Sequence, residues 1–239
     1  MHVAADAPFF RRRLRSGKLS RLRDEAIVET CRGRRIVHLG CVDAPLTREK
    51  LHSQELLHRK LLAASTDLIG VDIDQGGIDV LRDTIGGEYL CQDLSVYQSS
   101  PAVSAVNLFG FEPELYVLGD VIEHLHEPVP LLQGVGALAS KSGADILIST
   151  PNALAVRTFI NTTLGYELMH PEHVLVHSPT TLARLIQDAG LALNSLDYYN
   201  VKTGEDWSHR LYDIPSRALS TIRPAWADGL IATCTFSYQ

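Results

Sequence analysis

The stretch Ile36-Val37-His38-Leu39-Gly40-Cys41, followed further on by Gly70-Val71-Asp72-Ile73-Asp74, decides the fold. Each is a short apolar run that stops at a glycine or an acid. Runs of this length, rich in β-branched residues and closed by a turn signal, read as buried strands. Between them, residues 48–64 place Leu51, Leu56, Leu57 and Leu61 at helical spacing, so one helix is expected there. Strand, helix and second strand make a βαβ unit, whose two strands lie parallel.

The same alternation continues outward. A helix is expected over 77–84, strands over 88–91 and 114–118, and a helix over 128–139 with Pro128 in its first turn. A strand over 144–149 is stopped by Pro151-Asn152. The helix 178–189 has Ser178 placed as its N-cap, Pro179 at its first position and Gly190 at its end. Strands over 193–199 and 230–236 close the pattern. The expected fold class is α/β, a Rossmann-like, mostly parallel sheet with helices on both faces. In such sheets the ligand lies beyond the carboxyl ends of the strands. The turns that matter are therefore 40–43, 72–74, 92–94, 119–124 and 150–152. Three of them carry an acid at the strand end, Asp72, Asp93 and Asp120. Carboxylates accept hydrogen bonds, so the ligand should be rich in hydroxyl and amino donors.

With 239 residues, 45% of them hydrophobic, the chain can build one sizeable core with a small lobe. No apolar run approaches the roughly 18–20 residues of a membrane span. Cys31, Cys41, Cys91 and Cys234 are widely spaced with no C-x-x-C pair, and Met1–Phe10 lack the pattern of a secretory signal. A cytoplasmic protein with reduced thiols is expected. The net charge of −6 argues against non-specific nucleic-acid binding by the whole domain. The N-terminus departs from this balance, with Arg11, Arg12, Arg13, Arg15, Lys18, Arg21 and Arg23 close together. Leu14, Leu19, Leu22, Ala26 and Ile27 recur at roughly helical spacing. Residues 1–33 therefore read as a basic helical arm or lid, and 34–239 as the main domain.

The motifs together resemble those of class I S-adenosylmethionine-dependent methyltransferases. The resemblance spans about 34–199 and rests on Ile36–Cys41, Gly70–Asp74, Cys91-Gln92-Asp93-Leu94, Asp120-Val121-Ile122-Glu123-His124-Leu125 and Ser149-Thr150-Pro151-Asn152. It implies a seven-stranded sheet whose last strand is antiparallel, S-adenosylmethionine as cofactor and S-adenosylhomocysteine as product. It also implies roles. Gly40 lets the backbone approach the cofactor, Asp72 accepts the ribose hydroxyls and Ile73 packs on the adenine. Asp93 takes the adenine amino group, with the Leu94 N–H at a ring nitrogen. His38, Cys41, Asp43, Asp120 and Val121 complete the cofactor set. The first turn departs from the family pattern. His38 stands at the usual acid, and Val42 and Ala44 replace later glycines. Val42 resists positive φ, so a locally different turn is expected. The Gly-x-Gly-x-x-Gly fingerprint of nicotinamide enzymes is absent.

Methyl transfer to a hydroxyl needs an aligned acceptor and a base. Histidines crowd the turns beyond the fourth and fifth strands: His124, His126, His170, His173 and His177. His173 is the first candidate for general base, with His124 beside it in the catalytic set. Asp120, Glu123 and His124 at i, i+3 and i+4, closed by His173, resemble the ion site of small-RNA 2′-O-methyltransferases. Mixed carboxylate and imidazole ligands suit Mn²⁺, Fe²⁺ or Zn²⁺ better than Mg²⁺. The expectation is nonetheless a reaction without a divalent metal. The N-terminal arm and an inserted segment near 152–177 are expected to roof the acceptor pocket. Val156, Phe159, Ile160, Leu164, Tyr166 and Met169 make that segment apolar. Residues 202–226, with Trp207, His209, Arg210 and Tyr212, are candidates for further contacts. The activity expected is O-methylation of a small hydroxylated metabolite, such as a sugar or secondary metabolite. N-methylation of a small amine, ribose 2′-O-methylation of RNA and a non-catalytic nucleoside-binding protein are the alternatives. A small-molecule acceptor and a homodimer are the expected partners; nucleic acid and a membrane span are not.

Overall fold

The computed structural model describes residues 13–20, 22–99, 104–201 and 207–237, with the side chains of 207–213 left aside. In chain order the elements are β1 (Leu19–Ser20), α1 (Arg23–Cys31), β2 (Arg35–Leu39), α2 (Thr47–His52), α3 (Leu57–Ala64), β3 (Asp67–Asp72), α4 (Gln75–Ile85), β4 (Glu88–Cys91) and α5 (Ala105–Phe109). They continue as β5 (Leu115–Gly119), α6 (Pro128–Ser142), β6 (Asp145–Pro151), α7 (Val156–Thr163), α8 (Pro179–Asp188), β7 (Leu191–Tyr199), α9 (Trp207–Ile222) and β8 (Gly229–Phe236). All strands join one sheet in the order β1-β7-β8-β6-β5-β2-β3-β4. β8 runs antiparallel to both β6 and β7, and every other pairing is parallel.

The central strands are apolar on both faces because both faces are covered. On one face Val37, Tyr116, Leu118, Ile146 and Ile148 pack against α6 and α8. On the other, Ile36, Leu115, Val117 and Leu147 pack against Ile27 and Cys31 of α1 and Leu57 and Leu61 of α3. α6 buries residues round much of its circumference, and a Cβ at its Gly134 would lie 2.0 Å from the Leu94 carbonyl oxygen. That contact needs glycine. α8 starts as its sequence predicts. The Thr181 N–H donates to Ser178 Oγ at 3.2 Å, the Ser178 N–H donates to Thr181 Oγ1 at 2.7 Å, and Pro179 takes the first helical position.

Three expectations change. The helix expected over 48–64 is two helices, broken where Gln54 adopts φ 60° and the Glu55 and Leu56 N–H groups both bond to the Lys50 carbonyl. Among the described residues of the expected helical arm, only Arg23–Cys31 are helical, and Leu19–Ser20 instead extend the sheet beside β7 as an eighth strand. A two-residue edge strand leaves no period for sequence reading to detect. The apolar segment 152–177 contains α7, which buries none of its residues. Arg11, Arg12 and Arg21, and the side chains of Trp207, His209, Arg210 and Tyr212, lie outside the described residues. No helix among the described residues is long and apolar enough to cross a membrane.

Candidate functional site

The carboxyl ends of β2, β3, β4 and β5 meet at a cleft of about 840 Å³. That is within the range of small-molecule sites, about 300–1,000 Å³. Gly40 leaves β2 at φ 68°, and a Cβ there would lie 2.5 Å from Val121 Cγ2. The conformation and the contact both require glycine. Val42 does not take positive φ, so the turn is rebuilt as expected. Its N–H donates to Asp72 Oδ2 at 2.9 Å, and its side chain packs over Gly77 in α4. A Cβ at Gly77 would lie 2.3 Å from Val42 Cγ1. The valine in the loop is thus accommodated by a glycine in the facing helix.

Asp72 holds this turn together. Its other oxygen accepts from the Ile73 N–H at 2.8 Å and the Asp74 N–H at 3.0 Å. A carboxylate offers about four acceptor positions, so roughly one remains for a ligand. Burial raises the Asp72 pKa, against the pull of the three backbone donors. Ile73 lies 75% exposed on the cleft wall and presents an uncovered apolar face. Asp93 lines the same cleft, with Oδ1 accepting from the Ser95 N–H at 2.9 Å. Cys41, Asp43, Asp120 and Val121 also line it. The Leu94 side chain is buried in the core, and Leu94 is not among the residues that line the cleft.

His38 forms a buried pair that the sequence did not announce. Its Nδ1 lies 3.0 Å from Nδ1 of His58 on α3, and the rings stack. Burial, then the proximity of a second imidazole, drives the His38 pKa well down; burial takes His58 to about 4. Two neutral rings joined by one hydrogen bond thus stand at the end of β2. His58 sits in the first turn of α3 at a buried position, where nothing in the sequence separates it from a packing residue.

Asp120 does not sit in a helical turn with Glu123 and His124. It adopts φ 55°, and only Ile122–His124 form a short 3₁₀ turn. Its carboxylate is claimed from other directions. Ser149 Oγ donates to Oδ1 at 2.7 Å, Tyr199 OH donates to the same oxygen at 3.2 Å, and Arg23 Nη1 donates to Oδ2. The remaining expected set does assemble. Ligand atoms of Glu123, His124 and His173 all lie within 4.8 Å of one another. The Glu123 carbonyl accepts from the Val174 and Leu175 N–H groups, which pins the loop bearing His173 over this turn. Glu123 is fully buried, and neither carboxylate oxygen has a hydrogen-bond partner. Burial, reinforced by the charge of Asp120, pushes its pKa up to about 8. The rings of His124 and His173 meet edge to face at 4.8 Å, with His170 at 5.1 Å from His173. Burial and these two imidazoles lower the His173 pKa and keep it neutral.

The inserted segment reaches the cleft through polar residues rather than through its apolar ones. Phe159, Leu164, Tyr166 and Met169 are exposed, and none lines the cleft. His170, Glu172 and His173 form that side of its wall instead, with Arg23 and Tyr199 opposite. Arg23, Tyr199, His58 and Lys50 are among the wall residues to which sequence reading gave no site role.

No protein-family model matches the chain, and comparison with curated proteins returns no match. Solved structures do match. One is magnesium protoporphyrin IX methyltransferase from Synechocystis with bound SAH, at 14% identity and TM-score 0.50, covering 90% of this chain and 82% of that one. The chain has the class I methyltransferase fold. The small RNA methyltransferase HEN1 matches at 14% identity and TM-score 0.52, over 90% of this chain and 25% of that one. The [4+2]-cyclase SpnF matches at 12% identity and TM-score 0.50, over 90% of this chain and 82% of that one. A protein named a cyclase shares the methyltransferase fold, so the reaction must be argued from the site.

Proposed function

We propose that the chain is an S-adenosylmethionine-dependent methyltransferase that O-methylates a small hydroxylated metabolite, with His173 as general base. The observation that carries this reading is that Asp72, Asp93 and a neutral His173 line a single cleft. When bound, the cofactor supplies an electrophilic methyl group on a sulfonium. Asp72 accepts a ribose hydroxyl at its remaining acceptor position, Ile73 covers one face of the adenine and Asp93 accepts from its amino group. Gly40 and Val121 set how closely the backbone approaches. His173 takes the acceptor's hydroxyl proton at an imidazole nitrogen as the oxygen attacks, and returns it to solvent. A neutral imidazole suits proton removal near pH 7.

Calorimetry with S-adenosylmethionine and S-adenosylhomocysteine tests the cofactor half. Micromolar binding by the wild type, lost in a folded Asp72→Ala variant, is the expected result. No binding by the wild type, with or without candidate acceptors, overturns the reading. In an acceptor screen, His173→Ala should lose about 10²–10⁴-fold in turnover with cofactor affinity unchanged. Unchanged turnover removes His173 as base.

A second reading is favoured by the unpartnered, buried Glu123 beside His124 and His173. These three residues would hold a divalent ion of the Mn²⁺, Fe²⁺ or Zn²⁺ kind and make His173 a ligand. The ion would then polarise an acceptor hydroxyl. Chelation that abolishes turnover, with recovery on adding Mn²⁺, selects this reading. Indifference to both selects the metal-free one.

A further inference from the structure

The two halves of the cleft differ in what they offer a ligand. The sheet order places Asp72 and Asp93 at the β3 and β4 ends, on the half assigned above to the cofactor. The other half is built by the ends of β5, β6 and β7, the approach to the antiparallel β8, and the loop that bears His170 and His173. That half is the place left for the methyl acceptor. Among the described residues it carries the acids Asp120, Glu172 and Asp228 against one cation, Arg23. Arg23 is already matched by Asp24 and Asp120. Asp228 is matched by Arg157 and by the Val201 N–H. Glu172 is not: it is exposed, lines the cleft and makes no ion pair among the described residues.

A second observation marks the same wall as one for a positively charged group. Glu123 lies against His124 and His173, with ligand atoms of all three within 4.8 Å of one another, and neither of its buried carboxyl oxygens has a partner. The wall therefore offers oxygen atoms that can receive hydrogen bonds, and no cation that is still unmatched. Glu172 and His173 are also consecutive, so their Cα atoms stand about 3.8 Å apart. Both line the cleft, and the Glu172 charge is felt at the His173 ring. A hydroxyl set at His173 thus brings the adjoining carbon of the acceptor beside Glu172.

We propose that the acceptor is an amino alcohol, with a protonated amine on the carbon next to the methylated hydroxyl, and that Glu172 selects it by pairing with the ammonium. This rests on the methyltransferase reading above and narrows its substrate class. The pairing also selects the atom that reacts. An amine held against a carboxylate keeps its proton and has no electron pair to offer. The hydroxyl oxygen gives its proton to His173 and attacks the methyl carbon. The new O–C bond forms as the S–C bond breaks, and the electron pair of that bond stays on sulfur, which leaves neutral S-adenosylhomocysteine. A hydroxy acid of the same skeleton would set its carboxylate against Glu172, and that repulsion rejects it.

Three probes of one skeleton test this: trans-2-aminocyclohexanol, trans-1,2-cyclohexanediol and trans-2-hydroxycyclohexanecarboxylate. Affinity is read by ligand-observed NMR on the protein saturated with S-adenosylhomocysteine, with EDTA present so that no metal takes part. The amino alcohol should bind about fivefold tighter than the diol, the scale of a partly exposed charge pair, and the hydroxy acid more weakly than either. Glu172→Gln should bring the amino alcohol to within about twofold of the diol, with S-adenosylhomocysteine affinity also within about twofold of wild type. Any product formed from the amino alcohol with S-adenosylmethionine should carry its methyl group on oxygen. Equal affinity for amino alcohol and diol, preference for the hydroxy acid, no binding of any probe, a preference that survives in Glu172→Gln, or a methyl group on nitrogen overturns the proposal. A wild type that does not bind S-adenosylhomocysteine defeats the cofactor reading itself, which is a distinguishable result.

Discussion

Glu123→Gln reads the buried acid beneath His124 and His173 at the cleft wall. Glu123 is fully buried, has no hydrogen-bond partner, and has its pKa pushed up to about 8 by burial and by Asp120. In the unfolded chain it titrates near the ordinary 4.5. Between those values the folded state holds a proton that the unfolded state has lost. For an acid raised in this way, stability is fully present below the unfolded pKa and falls as pH rises toward the folded one. One proton corresponds to about 1.4 kcal/mol per pH unit, so the site should lose about 2–3 kcal/mol between about pH 5 and pH 7. His38, His58, His173 and His177 work in the opposite sense. Their pKa values are lowered by burial, so their contribution is lost as pH falls below about 6.5. The wild-type curve alone mixes the two. The difference between wild type and Glu123→Gln isolates the carboxyl, whose charged and titratable neighbours are Asp120, Arg23, His124 and His173. Urea unfolding across this pH range should show Glu123→Gln gaining about 2–3 kcal/mol relative to wild type as pH rises. A constant or shrinking difference refutes the buried-acid argument. Mn²⁺ adds a further arm. If Glu123 is a ligand, the ion competes with the proton and flattens the wild-type slope, while Glu123→Gln does not respond.

Gly77→Ala should destabilise the protein by about 1–3 kcal/mol despite alanine's better helix propensity, because the new methyl meets Val42. Val42→Gly should relieve that cost, and a double-mutant cycle by chemical denaturation checks the coupling; additive effects would show that the two residues do not pack as described. Ser178→Ala removes the reciprocal cap of α8 and should cost about 1 kcal/mol, measured as a shift in urea midpoint with cofactor affinity unchanged.

Most of the sheet was legible because its strands are short apolar runs that end at turn residues, and the helices between them carry their own signals. Ser178, Pro179 and Gly190 bracket α8 by local chemistry alone. The carboxylates Asp72 and Asp93 were legible for the same reason, as acids just beyond strands. What was not legible depends on contacts distant in the chain. The 48–64 helix breaks at Gln54, a residue with no turn signature, because the carbonyl of Lys50 captures two later N–H groups. Asp120 leaves the expected Glu123–His124 set because Arg23, Ser149 and Tyr199 draw its carboxylate away. The His38–His58 pair joins a strand end to the first turn of a helix, and neither residue's neighbours in sequence announce it.

The basic N-terminal segment shows how such distant contacts change a functional reading. From charge alone, Arg15, Lys18 and Arg23 belong to one solvent-facing arm. In the structure the segment is threaded along the sheet edge. The Tyr198 OH donates to the Arg15 carbonyl at 2.7 Å, and the Lys18 N–H donates to Asp197 Oδ1 at 2.7 Å. A Cβ at Gly17 would lie 2.1 Å from the Leu196 carbonyl oxygen, so the two backbones meet with no room for a side chain. This docking fixes where α1 begins, and the start of α1 fixes where Arg23 points. The side chain that reaches the cleft is therefore positioned by backbone pairing with β7, on the far side of the sheet from the β2–β3 turns that the sequence marks most clearly. A charge count over the first residues records the cations but not that geometry.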